Sequence, residues 1–342
     1  MSSPIDHQWS LGSAVMALAV DDDARVLAVA TADGTAKLFS FDSDESRDVQ
    51  IHDGATLSLA SAGEGFVAGG EDGRLVLFDT DGGTAELAVH KGKWLEQIAV
   101  APKMRQVFYA VGKDVQRVRF DGSVAGVPWT QASSIGGLAV HPQEKRLAVA
   151  QYNYVNVYPL NAKHAEPLRL DWKGSHVQTL WHPAGEIVMT TMQEPALHGW
   201  RIADRTEMRM SGYESKPEAM AFADGGRYLA SGGSAALICW PFFGGGPWGK
   251  QPLALDGGCK GVVTRLAAHP KDPLIAAGYE EGGLALAPLF DGGPLKLLAD
   301  TGDRLASLVW SADGQILYAG TEGGTLYRFT VASVSAAFSP RS

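Results

Sequence analysis

One phrase recurs eight times along the 342 residues: a short apolar run, a tight polar turn, a second apolar run ending in small residues, and a third ending at an aromatic. The first runs are VMALAV (15 to 20), ATLSLA (55 to 60), LEQIAV (95 to 100), IGGLAV (135 to 140), VQTLWH (177 to 182), PEAMAF (217 to 222), VTRLAA (263 to 268) and LASLVW (305 to 310). A period of about forty residues marks an array of one repeated sheet module, which constrains the fold more than any compositional argument.

The second runs follow turns such as HPQEK, HPAG, HPKDP and SADG. Proline presets one dihedral of such a turn and glycine accepts a positive one, so each pair of runs reads as a hairpin. The third runs close at Phe39, Phe78, Phe120, Tyr158, Trp200, Trp240, Ala287 and Phe329, so the seventh phrase alone lacks its aromatic. One more strand candidate, such as DVQIH (48 to 52) or LKLLAD (295 to 300), precedes the next phrase. Four strands in meander order make a propeller blade, whose sheet buries both faces only by packing between neighbours. The pattern therefore predicts an all-β chain: an eight-bladed β-propeller of four-stranded antiparallel blades over residues 1–331, with residues 332–342 as a flexible tail. The eighth phrase ends near Val331 without a fourth strand, and DHQWSL (6 to 11) is expected to supply it and close the ring.

The order of runs, the Asp33-Gly34 and Asp72-Gly73 turns, and the Phe78-Asp79 and Phe120-Asp121 pairs resemble WD40 repeats over nearly the whole chain. The family's Trp-Asp pair is not intact, since Trp200 precedes Arg201 and Trp240 precedes Pro241. The resemblance implies a buried hydrogen-bonded set of a His, a Ser or Thr, a turn Asp and a closing aromatic. Thr31, Asp33 and Phe39 represent it in the first phrase, and His52, Asp72 and Phe78 in the second.

Composition narrows the function classes. No window approaches the roughly 18 apolar residues of a membrane span, and MSSPIDHQWS has no basic region leading into an apolar one, so a cytoplasmic location is expected. The formal charge of −9 and the lack of any run of Lys or Arg argue against a nucleic-acid partner. Cys239 and Cys259 form no CxxC pair and read as reduced thiols, with Cys259, beside Lys260, the more exposed and reactive.

Catalytic motifs are missing. Gly244 to Gln251 matches a phosphate loop by letter except that Gln251 stands where Ser or Thr would hold magnesium, and Pro252 follows where a helix should begin. There is no HExxH, EF-hand spacing or GxSxG. His141, His182 and His269 occupy equivalent turn positions in three phrases, where a His bonds nearby backbone more readily than a shared metal. Neither a catalytic residue nor a metal or cofactor site is expected.

Two aromatic groupings are candidate partner sites, because large aromatic side chains beside cations are what interfaces favour. Trp94, Trp129, Tyr152, Tyr154, Trp172, Lys173 and Tyr213 fall on the face that carries the charged loops. Phe242, Phe243 and Trp248 lie in an expanded connection of the sixth phrase. Either grouping alternatively packs internally, over a sheet edge or between blades. The expected function is a non-enzymatic, monomeric scaffold that presents loops to one or more partner proteins. The alternatives are a receptor for a peptide or small ligand at the central channel and, third, an enzyme.

Overall fold

The computed structural model describes residues 3–21, 25–161 and 166–338. Strand β1 (His7–Ser10) is followed by a meander of β2 (Val15–Val20), β3 (Val26–Thr31), β4 (Thr35–Ser40) and β5 (Ser46–Gln50). A second meander holds β6 (Thr56–Ser61), β7 (Phe66–Gly70), β8 (Arg74–Phe78) and β9 (Thr84–Val89). A third holds β10 (Ile98–Ala101), β11 (Gln106–Val111), β12 (Asp114–Arg119) and β13 (Trp129–Thr130). Next come β14 (Gly137–Val140), β15 (Arg146–Pro159), β16 (Leu168–Trp181), β17 (Ile187–Met192), β18 (Ala196–Arg201) and β19 (Glu207–Ser211), all in one sheet. Two further meanders are β20 (Met220–Ala223), β21 (Tyr228–Ser231), β22 (Leu237–Pro241), β23 (Leu253–Leu255), and β24 (Val263–Ala268), β25 (Leu274–Tyr279), β26 (Leu284–Pro288), β27 (Leu295–Leu298). The last sheet is β28 (Leu305–Trp310), β29 (Ile316–Thr321) and β30 (Thr325–Thr330), with β1 on its edge, and helix α1 (Val331–Phe338) follows.

The expectation of eight separate four-stranded blades is corrected by this topology: among the described residues there are seven sheets, six of four strands and one of six. The cause lies in the fourth and fifth phrases, whose linkers are too short to interrupt pairing. Leu147 to Ala150 of β15 pair with β14, while Tyr152 to Val157 pair with β16, which pairs onward with β17 from His176. β15 turns at Asn153, whose φ of 73° asparagine tolerates better than most residues, and Leu160 N–H donates to the Lys145 carbonyl at 2.9 Å. β16 bends at Gly174, where φ is 125° and a Cβ would stand 2.5 Å from Met192 Cε. Each strand thus pairs on both sides of its bend, with a register shift at the bend itself.

The chain forms two compact units, residues 1–48 with 218–342, and residues 49–217. In each, apolar layers lie between neighbouring sheets. Leu237, Cys239, Ile275 and Tyr279 meet between the sheets of β22 and β25, and Val67, Leu75, Leu95 and Val107 between those of β7 and β11. The alternation within each strand sends successive side chains into the two layers it borders. Residues near the start of β2, β6, β24 and β28 carry a register shift at the same place, so a bulge belongs to the repeated module.

In the first unit β1 pairs antiparallel with β30, His7 opposite Arg328 and Ser10 opposite Thr325. Arg328 binds Asp6 at 2.6 Å and Asp44 at 2.8 Å, and Trp9 packs on Phe39 with ring centroids 5.0 Å apart. Of the expected tail, residues 339–342 lie outside the described residues.

Candidate partner-binding site

The candidate site belongs to the second unit and grows from the bend in β16. Tyr152, beside the turn of β15 and paired with Ser175, is 57% exposed. Trp172 and Lys173 precede the Gly174 bend, and with Met192, Glu194, Ala196 and Arg209 these residues line a cavity of about 570 Å³. Lys173, Glu194 and Arg209 make no ion pair among the described residues. The cavity therefore presents an aromatic wall, two cations and one carboxylate.

Beneath that wall is a buried imidazole cluster. His176 Nε2–H donates to the Trp172 carbonyl at 3.0 Å, since a carbonyl only accepts. Its Nδ1 is therefore the acceptor, at 2.8 Å from Thr190 Oγ1. Burial lowers its pKa. His198 is fully buried, stacked on Trp172 at 4.0 Å and 16° and edge-on to Trp200 at 4.6 Å. Neither ring nitrogen of His198 nor Nε1 of Trp200 has a hydrogen-bond partner. Desolvation, with the charge of nearby Arg209 and His176 adding to it, pushes the His198 imidazole down to about 3. His198 is thus neutral throughout the physiological range, and Trp172 is held flat by a partner that contributes only its ring face.

The other sequence-selected residues separate. Trp94 is 64% exposed and lines a second cavity of about 340 Å³ with Lys93, Glu96, Gln97 and Ile135. Trp129 lies on β13, stacked on Tyr158 at 4.2 Å and 4°, with the Arg117 guanidinium 4.2 Å from its ring, so it closes a sheet edge. Tyr154 is buried under Arg169, whose guanidinium carbon is 3.7 Å from its ring centroid, and Tyr213 is buried. In the first unit Phe242 is buried against Phe222, while Phe243 and Trp248 are exposed. The structure brings Tyr152, Trp172 and Lys173 together and leaves the rest elsewhere.

Met192, Glu194, Arg209 and His198 are site residues that the pattern of runs did not single out. The signal for His198 was present: a His two positions before the closing Trp200 points to the same face of β18 as that Trp. Arg209 carries no local signal, because only the pairing of β18 with β19 places it opposite His198.

Three further expectations meet the structure here. Lys250 Nζ donates to the carbonyls of Phe243 and, at 2.7 Å, Gly246, and lies 4.5 Å from the Phe243 ring, so it ties its own loop. Cys259 is half-buried where Cys239 is fully buried, and burial pushes its thiol up to about 11 against about 12 for Cys239, so it is the more exposed of two thiols that both stay protonated at neutral pH. The turn histidines bond backbone: His141 Nε2 to Gly185 O at 3.1 Å, His269 Nε2 to Gly314 O at 2.9 Å, and His182 Nδ1 to the N–H of Ala184 at 3.1 Å. Among the described residues no three His, Cys, Asp or Glu side chains are grouped to hold a metal, and no helix is long and apolar enough to cross a membrane.

The family-implied buried set appears in pieces. Thr31 Oγ1 is 2.6 Å from Asp33 Oδ1, and His52 Nδ1 is 3.1 Å from Asp72 Oδ1. The family model described as WD domain, G-beta repeat matches residues 6–40. Together with the propeller-like arrangement of blades, that match supports the WD40 repeat family. WD40 propellers are generally non-enzymatic scaffolds for protein interaction. No curated protein matches the chain. Among solved structures, the computationally designed Ika8 protein, in a crystal packing in P63, is similar with a TM-score of 0.77 and 18% identity. The alignment covers 94% of this chain and 98% of that one, and at this identity the likeness shows the fold alone.

Proposed function

We propose that the chain is a non-enzymatic cytoplasmic scaffold that binds a partner protein, and that the Tyr152, Trp172 and Lys173 cavity of the second unit is its anchoring site. The observation that carries this reading is the cavity itself: an exposed Tyr, a half-exposed Trp held flat by His198, and two cations. Interface energy concentrates on such aromatic and cationic anchors, and a rigid aromatic loses little entropy when it is covered. A protein rather than nucleic acid fits the charge of −9.

The test is affinity capture from native lysate with the intact chain and with a Tyr152→Ala, Lys173→Glu variant. Trp172 is left in place because it covers His198. A protein recovered in stoichiometric amount by the intact chain, and at least tenfold less by the variant, supports the anchor. Equal recovery by both, with loss instead on changing Phe243 and Trp248 to Ser, moves the binding site to the loop of the sixth phrase.

A further inference from the structure

The first unit contains a second concavity of different chemistry. Between the sheet β24–β27 and the sheet β28–β30, with α1 as the third wall, lies a cleft of about 290 Å³. Leu274, Leu286, Leu297, Trp310, Phe329 and Val334 supply most of its surface. Helix α1 is fixed over it at its start. Thr330 N–H donates to Ser333 Oγ and Ser333 N–H to Thr330 Oγ1, both at 3.1 Å, which is the reciprocal arrangement of a capping box. Ser333 Oγ also lies 2.8 Å from the Pro4 carbonyl, so the helix start is tied to the N-terminal segment.

The polar groups that border the cleft are already engaged. His269 Nε2–H donates to Gly314 O, and its Nδ1 accepts N–H from Asp272 at 2.8 Å and from Lys271 at 3.2 Å. Trp310 Nε1–H donates to Ala267 O at 3.1 Å. A ligand with strong donors or acceptors would lose its water and gain nothing in return. The Asp272 carboxylate, 72% exposed beside His269, also opposes an anionic group at that end. Close-packed interiors hold few voids of this size, and a cavity of roughly 150 Å³ lined by apolar side chains is enough to take one benzene.

We propose that this cleft under α1 is a binding site for an uncharged apolar small molecule of about the size of a fused two-ring hydrocarbon. The site is separate from the partner cavity of the second unit, and its test does not depend on that reading.

Naphthalene and 1-naphthoate are the probes, titrated against the full chain and read by thermal unfolding and calorimetry. Naphthalene should raise Tm saturably, by about 3 °C at tenfold its Kd. 1-Naphthoate should bind at least tenfold more weakly. Val334→Trp, which fills the cleft from the helix side, should abolish the naphthalene shift. Leu295→Trp, at the exposed rim of β27, does the same from the other wall should the first variant fail to fold. No shift in the intact chain, or an equal shift in a folded filling variant, overturns the site. Equal binding of 1-naphthoate overturns the assignment of an uncharged ligand.

Discussion

Replacing His198 with leucine exchanges a buried imidazole for a side chain of similar size that has no polar atoms to satisfy. At pH 7 two effects oppose each other. Removing two unpartnered ring nitrogens is favourable by about 1–3 kcal/mol, and losing the ring contacts with Trp172 and Trp200 is unfavourable by about 0.5–1.5 kcal/mol each, so the net change at neutral pH is small. Acid separates them. The pKa of His198 is about 3 in the folded chain against 6.5 for an unperturbed imidazole. The unfolded chain therefore binds a proton that the folded chain refuses, and stability is full above pH 6.5 and falls as pH drops from there toward 3. Between pH 7 and pH 4.5 this single group withdraws on the order of 2–3 kcal/mol. His198→Leu should recover that amount, so urea midpoints of the two proteins that nearly coincide at pH 7 should diverge at pH 4.5, with the variant the more stable. His52, another buried histidine that desolvation holds below its ordinary pKa, is common to both proteins and cancels in the difference. His176, 6.4 Å from His198 and repelled by its charge, instead takes up a proton more easily once His198 is gone and adds to the divergence in the same direction. Parallel stability curves from pH 7 to pH 4.5 would show that the ring is hydrated or charged in the folded state, and the reasoning fails.

Deleting residues 1–11 removes the β1–β30 pairing, the Arg328–Asp6 pair and the Trp9 contact with Phe39, and should cost about 3–5 kcal/mol; an unchanged Tm would refute a structural role for that strand. Lys250→Met should leave any response to ATP unchanged while increasing hydrogen exchange in residues 242–250, because the ammonium holds two loop carbonyls. Trp181→Phe, which keeps an aromatic ring but loses the indole's five-membered ring with the N–H bonded to Ala139 O, should cost about 2–3 kcal/mol in urea unfolding, and combining it with His141→Ala should give less than the sum of the two. Strict additivity would mean that the two hydrogen bonds form independently.

The module was legible because each phrase states its own strands and turns, and hairpin pairing needs nothing beyond the chain near it. Separation of the sheets was not legible. The turn at Tyr152-Asn153 inside the fourth phrase and the boundary at Lys173-Gly174 look like those of the other phrases, yet each lies within one strand, β15 or β16, that pairs on both sides of it, and only three-dimensional register reveals that. The same limit applies to the site. Tyr152, Trp172 and Lys173 are near each other along β15 and β16, and their proximity follows from local pairing. Trp129 stacks on Tyr158 from the next phrase, and Arg209 reaches the cavity through β18 and β19, so side-chain identity alone misplaces the first and misses the second.

The turn histidines show how a repeat that has lost its hallmark residues still holds its phrases in register. His141 and Trp181, and His269 and Trp310, stand at matching positions of consecutive phrases, and each pair makes the same two bonds in opposite directions. The His of one phrase donates to a turn glycine of the next, Gly185 or Gly314, and the Trp of that next phrase donates back to Ala139 or Ala267. The rings meet edge to face at 5.0 and 4.7 Å, which fixes both donors at once. A Cβ at Gly185 would stand 2.0 Å from His141 Nε2 and one at Gly314 would stand 2.4 Å from His269 Nε2, so the glycine is demanded by the approaching imidazole as well as by its positive φ. The His-Pro turns at His141 and His269 therefore couple the fourth phrase to the fifth and the seventh to the eighth. In the fifth and eighth phrases the Trp at the end of the first run, Trp181 or Trp310, thus holds the phrase through its indole N–H to the one before it, as the aromatic closing the third run does not.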